Sequence, residues 1–250
     1  MQNGFGHERL LVYQKATAFV VLRRGLLDRV SRRVAACDHL ERAGESIPLN
    51  IAHASGSWMP DERIVYLGHA NGSALECAAC LDVLVARALL TVHDVRAGKQ
   101  ELREIVNMLI SMKETTSARV REEAPEYHAG TELVFSHERL DVYQIALDFI
   151  KWQEGVSGQL HCSGDLRAKM DKASTGIVLN IAEGNGRFSG TDHAKFLGLA
   201  HKATSQSAAL LEACTTESVL AAGQMKDGMA MLHRIAAMLT GLSKAVSDHT

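Results

Sequence analysis

Apolar residues recur along this chain at steps of three, four and seven. Leu10, Tyr13, Ala16, Val20, Leu27, Val30 and Val34 follow that rule, as do Leu102, Ile105, Val106, Leu109 and Met112. Leu232, Ile235, Leu239, Leu242 and Val246 repeat it near the other end. A period near 3.6 marks helices with one buried face, and no run shows the alternation that a half-buried strand needs. Gly, Ser and Pro interrupt the pattern near Ala35 to Asp38, from Ser55 to Pro60 and from Thr91 to Gly98. Equivalent breaks fall at His161 to Gly164, Gly184 to Gly190 and Ala221 to Gly228. Three breaks per half predict four helices per half. Asp61 and Thr191 follow the second break of each half, where a side-chain oxygen would cap helix three.

The halves are copies. HERLLVYQKATAFV (7–20) matches HERLDVYQIALDFI (137–150) at nine of fourteen positions, an offset of 130. At that offset IPLNIAHASG (47–56) meets IVLNIAEGNG (177–186) with six identities, and LREIVNML (102–109) meets LHRIAAML (232–239) with four. A register held without gaps means that loop lengths have been kept with the helices, which a shared fold requires. The expected organisation is all-α: two tandem up-and-down four-helix bundles at 1–120 and 136–250, joined by a linker at 121–135.

Composition agrees with helices: three prolines, 5% aromatics and 46% apolar residues over 250 positions. The net charge of -2 argues against bulk nucleic-acid binding. It conceals an asymmetry. Residues 1–125 carry 16 Lys and Arg against 15 Asp and Glu, and the rest carry 11 against 14. The start of the sequence has no basic segment leading into an apolar one, and no run approaches 18 apolar residues. A cytoplasmic protein without a membrane partner is expected. Cys37, Cys77, Cys80, Cys162 and Cys214 lack scaffold spacing and read as reduced core fillers.

Candidate chemistry is sparse. Cys77-x-x-Cys80 lies inside an apolar helix, and the second half has Ser207 and Leu210 there, so a shared metal or redox role is not expected. The Glu-x-x-His spacing of di-iron bundles is missing: Glu76 leads to Ala79, Glu104 to Asn107 and Glu183 to Gly186. The glycines around Gly56 and Gly186 read as turns, since neither a nucleophile elbow nor a dinucleotide loop has its strand. No catalytic, cofactor or metal residue is therefore assigned. Gly68, Gly72, Ala74 and Ala78 on helix three let helix axes approach closely, and core packing is preferred to an oligomer face.

Two features remain. Arg23, Arg24, Arg29, Arg32 and Arg33 crowd helix one of the first half, with Arg29 and Arg33 four apart, as a possible nucleic-acid or anion contact. The second half has Gln153, Glu154, Gln159, Cys162 and Ser163 there. Asn50 and Asn180 occupy one position inside an apolar run, where an interhelical or helix-end hydrogen bond is the expected partner.

Four segments together resemble a known family: Arg9-Leu10-x-Val12-Tyr13-Gln14-x-Ala16, Ser46-Ile47-Pro48-x-Asn50-Ile51-Ala52, Gly72-Ser73-x-x-Glu76 and Asn180-Ile181-Ala182-Glu183-Gly184. It is the bacterial four-helix bundle family first noted in intervening sequences of large-subunit ribosomal RNA genes. The resemblance implies a bundle that assembles into rings and carries no attributed activity. One similar branch, the accessory variability determinant of diversity-generating retroelements, binds a reverse transcriptase and its RNA. By this resemblance the chain is expected to be a non-catalytic scaffold or adaptor, homo-oligomeric as a ring or pseudo-dimer, with a nucleic-acid accessory role as the alternative. Each copy departs from the pattern differently. The first has His53 and Ala54 where the family has Glu-Gly, whereas the second keeps Glu183 and Gly184 but has Val178, Ala203 and Gln206 for the proline and the later Ser and Glu.

Overall fold

The computed structural model describes residues 5–30, 34–121, 135–158, 163–215 and 222–247. It is all-α, with eight α-helices among the described residues. The first half contains α1 (Leu11–Leu27), α2 (Ala35–Gly56), α3 (Pro60–Ala86) and α4 (Val92–Arg121). The second contains α5 (Asp141–Val156), α6 (Gly164–Asn185), α7 (Gly190–Thr215) and α8 (Ala222–Ser247). In each half every helix packs on the next and the fourth returns to the first, giving an up-and-down bundle. A short 3-10 turn precedes each bundle, at Gly6–Arg9 and Ser136–Arg139, where the repeat pattern predicts the start of a helix. No described helix is long and apolar enough to cross a membrane.

Local chemistry sets the ends. Pro60 opens α3, where its missing N–H costs no helical bond. Asp61 therefore falls inside the helix and does not cap it, contrary to expectation. At the equivalent start of α7 the Ser189 hydroxyl, and not Thr191, accepts the Asp192 N–H at 3.4 Å. After α3, Ala88 adopts φ 55°, with Ala88 N–H donating to the Val85 carbonyl and Leu89 N–H to the Leu84 carbonyl. That left-handed closure satisfies the last carbonyls and fixes Arg87 at the helix end.

The two bundles differ in how much of helix three is buried. In α3 the run from Leu67 to Leu75 is buried with the single exception of a half-buried His69, whereas α7 exposes Gly198, Leu199, His201 and Lys202 at equivalent positions. A helix apolar on all sides needs covering on all sides. The missing cover for α3 is the second bundle, which brings α6 and α5 against it while α2 also touches α6.

Candidate functional site

The seam between the bundles is built on residues lacking side chains. A β-carbon on Gly68 would stand 3.3 Å from the Phe188 ring, and one on Gly72 would stand 3.1 Å from Arg187 Nε. One on Gly186 would meet the Gly72 Cα at 2.8 Å. These glycines thus serve contact between bundles, whereas the sequence suggested packing within one. Asn71, buried in α3, donates its Nδ2 to the Gly186 carbonyl at 2.8 Å and locks the end of α6 to the middle of α3. The Lys113 ammonium sits 5.6 Å from the Phe188 ring centre.

Two ionic clusters flank this contact. Arg87, buried at the end of α3, reaches into the second bundle, where it pairs with Glu154 and with Asp171 at 2.5 Å and donates to Ser174 Oγ at 3.2 Å. Asp171 also accepts the Ala35 N–H at 2.8 Å, so a carboxylate of one bundle holds the first turn of a helix in the other.

At the other flank Lys99 of α4 bridges Asp82 of α3, at 2.6 Å, and Glu138 of the second bundle's 3-10 turn. The Tyr143 hydroxyl donates to Asp82 at 2.9 Å. Phe135 lies against the Lys99 ammonium, 5.7 Å from its ring centre, and the Arg103 guanidinium, at 5.8 Å. Burial raises Asp82, and the attraction of Lys99 only partly offsets it. Burial also opposes the charge on Lys99, yet Asp82 and Glu138 outweigh that and hold its pKa above the ordinary value. His137 is fully buried between Phe135 and Tyr143, with no hydrogen bond at either ring nitrogen. Burial, reinforced by Lys99, pushes it down to about 3, so it is neutral at pH 7. Ligand-type atoms of Asp82, His137 and Glu138 lie within 4.8 Å of one another. Helical spacing could not reveal this group, because its members come from different halves. Lys99 bridges the two carboxylates, so inside the chain the cation is the protein's own.

Between these contacts opens a polar cleft of about 460 Å3. Ser46 and Asn50 of α2, Ser73 and Glu76 of α3, and Glu183 and Arg187 from the second bundle line it. Ser73 Oγ donates to Ser46 Oγ at 2.9 Å, His39 meets Glu76 at 2.9 Å, and Arg187 pairs with Glu183. Burial, with repulsion from Glu76, raises Glu183. Four of the motif residues that survive in only one copy therefore face a single seam: Ser46, Ser73 and Glu76 from the first half and Glu183 from the second. Their complementary retention has a geometric basis, since the seam uses α2 and α3 of one copy and α6 of the other.

The remaining residues named from sequence scatter. Arg23 is buried, its guanidinium over Gly44 and donating to the carbonyls of Leu40 and Glu41, so it does not share a solvent-facing stripe. Arg24 is exposed. Arg29 lies beyond the end of α1, paired with Asp94 at 2.7 Å. Arg32 and Arg33 lie outside the described residues, as does Cys162. Asn50 and Asn180 bond back one turn inside their own helices, to Ser46 O at 2.8 Å and Gly176 O at 2.6 Å, where an interhelical or helix-end partner was expected. A β-carbon on Gly184 would meet the Phe196 Cβ at 2.8 Å, so this glycine sets the approach of α7 to α6. Cys77 and Cys80 are buried in α3, and burial pushes both thiols well up.

The faces that would make the same seam a second time are open. Phe5, Leu49 and Trp58 hold the register positions of Phe135, Leu179 and Phe188, and they are 73%, 61% and 97% exposed. Gly198, equivalent to Gly68, has nothing within 4 Å of its β-carbon position. The counterpart of Gly72 opposite Arg187 is Lys202 opposite Ser57, a large residue and a small one exchanged. A family model described as 23S rRNA-intervening sequence protein matches residues 8–111 and again 138–241. No curated protein and no solved structure matches the chain.

Proposed function

The chain belongs to the 23S rRNA-intervening sequence protein family through both of its halves, and from that premise we propose that it is a non-catalytic, self-associating helical scaffold or adaptor whose molecules join by repeating their internal seam. The observation that carries this reading is Trp58. It is 97% exposed at the register position of Phe188, which inside the chain covers Gly68. Together with Phe5 and Leu49 it gives the first bundle an apolar face of the kind that marks an interaction site. The matching bare surface, with Gly198, is on α7 of the second bundle.

The internal seam joins unlike surfaces, α3 of one bundle with α5 and α6 of the next. Such a contact is head-to-tail, so each added chain leaves one first-bundle face and one second-bundle face until a ring closes. Because every chain brings two bundles, a closed ring holds an even number. The exchange of Gly72 and Arg187 for Lys202 and Ser57 supports a seam of the same shape and different chemistry, which would keep bundles in alternating order. A nucleic-acid accessory role would draw on the arginine cluster, and the inward turn of Arg23 takes one member from it.

Paired cysteines test the reading. The β-carbon position of Gly68 is 3.8 Å from the Phe188 Cβ, within the range that a disulfide spans. In a Cys162→Ser background, Gly68→Cys with Phe188→Cys should oxidise within a chain. Gly198→Cys with Trp58→Cys should oxidise between chains. Monomeric protein after oxidation of the second pair, with the first pair formed, would refute the repeated seam.

A further inference from the structure

A second cavity, of about 460 Å3, opens at the Arg87 end of the seam. Val34 and Leu89 of the first half and Met170 and Cys214 of the second give it apolar walls, with the exposed Ala168 beside them, and Gln153 of α5 lines it as well. Small-molecule sites usually measure about 300–1,000 Å3 and combine such walls with a few polar groups. Most of the polar groups here are already engaged. Arg87 binds Glu154, Asp171 and Ser174 through its terminal nitrogens, while Ser157 and Arg167 donate to backbone carbonyls. Gln153 is different. It is 6% exposed, its amide makes no hydrogen bond, and its Oε1 is sealed from solvent. Arg87 Nε is likewise buried and unpaired. A buried amide without a partner is costly, and native structures supply one.

The first half fills the same place with its own side chain. Arg23 holds the register position of Gln153, and its head lies over Gly44 and donates to the Leu40 and Glu41 carbonyls. Met170 and Asp171 are the counterparts of Leu40 and Glu41, and both line the cavity. Glutamine is too short to do what Arg23 does. Arg87 enters from α3 onto Ser174, the counterpart of Gly44, without bonding to the Gln153 amide.

We propose that this cavity binds one planar, uncharged nitrogen heterocycle of nucleobase size. The ligand's edge accepts from Gln153 Nε2 and donates to Oε1 as the terminal amide turns about its soft torsion, the pairing by which a glutamine amide reads adenine. Its faces lie against the aliphatic walls and the Met170 thioether, a favourable neighbour for an aromatic ring. A charged ligand is disfavoured, because the ionic groups of the wall are already paired with one another. The walls come from both halves, so binding braces the seam and raises Tm by mass action.

The experiment is isothermal titration calorimetry of the full chain with adenine, cytosine and uracil, with indole and quinoline as flat controls that carry only a donor or only an acceptor. At least one base is expected to saturate a single site per chain below about 1 mM and to raise Tm. It should bind about tenfold tighter than either control, the contribution of about one hydrogen bond. Gln153→Leu, which keeps the bulk and removes the amide, should weaken that base about tenfold and leave the Tm of the unliganded chain equal or higher. Ala168→Leu, at an exposed helix position, should weaken it by narrowing the cavity. The matching nucleoside monophosphate separates a free base from a nucleotide as the source of the ring, and binding of either supports the site. No saturable binding of any base would overturn the proposal. So would controls that bind as tightly as the bases, or base binding that neither variant alters.

Discussion

Phe188 packs on Gly68: its ring lies 3.3 Å from where a β-carbon on that glycine would stand, and the two residues belong to different halves of the chain. Enlarging Gly68 should therefore separate the bundles while each keeps its own core. Gly68→Leu is expected to cost about 1–3 kcal/mol through overpacking, and Phe188→Ala about 1–2 kcal/mol through lost burial of a half-buried ring. Chemical denaturation checks both. The Gly198→Leu counterpart, at a position open in the single chain, should leave monomer stability within about 0.5 kcal/mol of the parent.

Arg87 is the most exacting side chain of the seam. Its guanidinium is buried with Asp171 at 2.5 Å and with Glu154, so removing it strands a half-buried Asp171. Arg87→Ala should destabilise by about 3 kcal/mol, more than a surface ion pair would. Because Asp171 also caps α2, amide exchange should speed up first at Ala35 and its neighbours. Unchanged exchange there, with global stability reduced, would separate the cap from the ion pair.

His137 makes stability depend on pH. Its native pKa is about 3 and its unfolded value 6.5, so below pH 6.5 the unfolded chain binds a proton that the folded chain refuses. Stability is full above 6.5 and falls as pH drops towards 3, by at most about 1.4 kcal/mol per pH unit. Asp82 and Glu183, whose native values are raised, contribute in the opposite direction, losing stability as pH rises through those values. Comparison with His137→Phe isolates the imidazole. The difference in Tm between the two proteins should shift in favour of the variant from pH 7 to pH 5, and a constant difference would mean that His137 is solvated.

Much of the fold was legible in the sequence, because helical period, turn residues and a gap-free offset are local or self-referential signals. The turns before Pro60 and after Asn185 fell where Gly, Ser and Pro cluster, whereas Ala35 to Asp38, Val92 to Gly98 and Ala222 to Gly228, expected as breaks, form the opening turns of α2, α4 and α8. The seam was not legible. That Gly68 takes Phe188, or that Arg87 takes Asp171, depends on which surface of one bundle meets which surface of the other, and no spacing along the chain encodes that. Arg23 misled for a related reason: a long side chain counted as solvent-facing can turn its head inward when a glycine, here Gly44, leaves room beside backbone carbonyls. The complementary loss of motif residues was the one sequence signal of the seam, and it acquires meaning only when Ser46, Ser73, Glu76 and Glu183 are seen to share a cleft.

Docking of the exposed Trp58 face on α7 of another molecule is decided by the solution mass of the full chain, measured by sedimentation equilibrium over a range of concentrations, beside Trp58→Glu. The expected mass is a whole multiple of 27.2 kDa, and so an even number of bundles, reverting to 27.2 kDa in the variant. An unaltered chain that stays at 27.2 kDa at high concentration, or an assembly that survives Trp58→Glu intact, would rule this docking out.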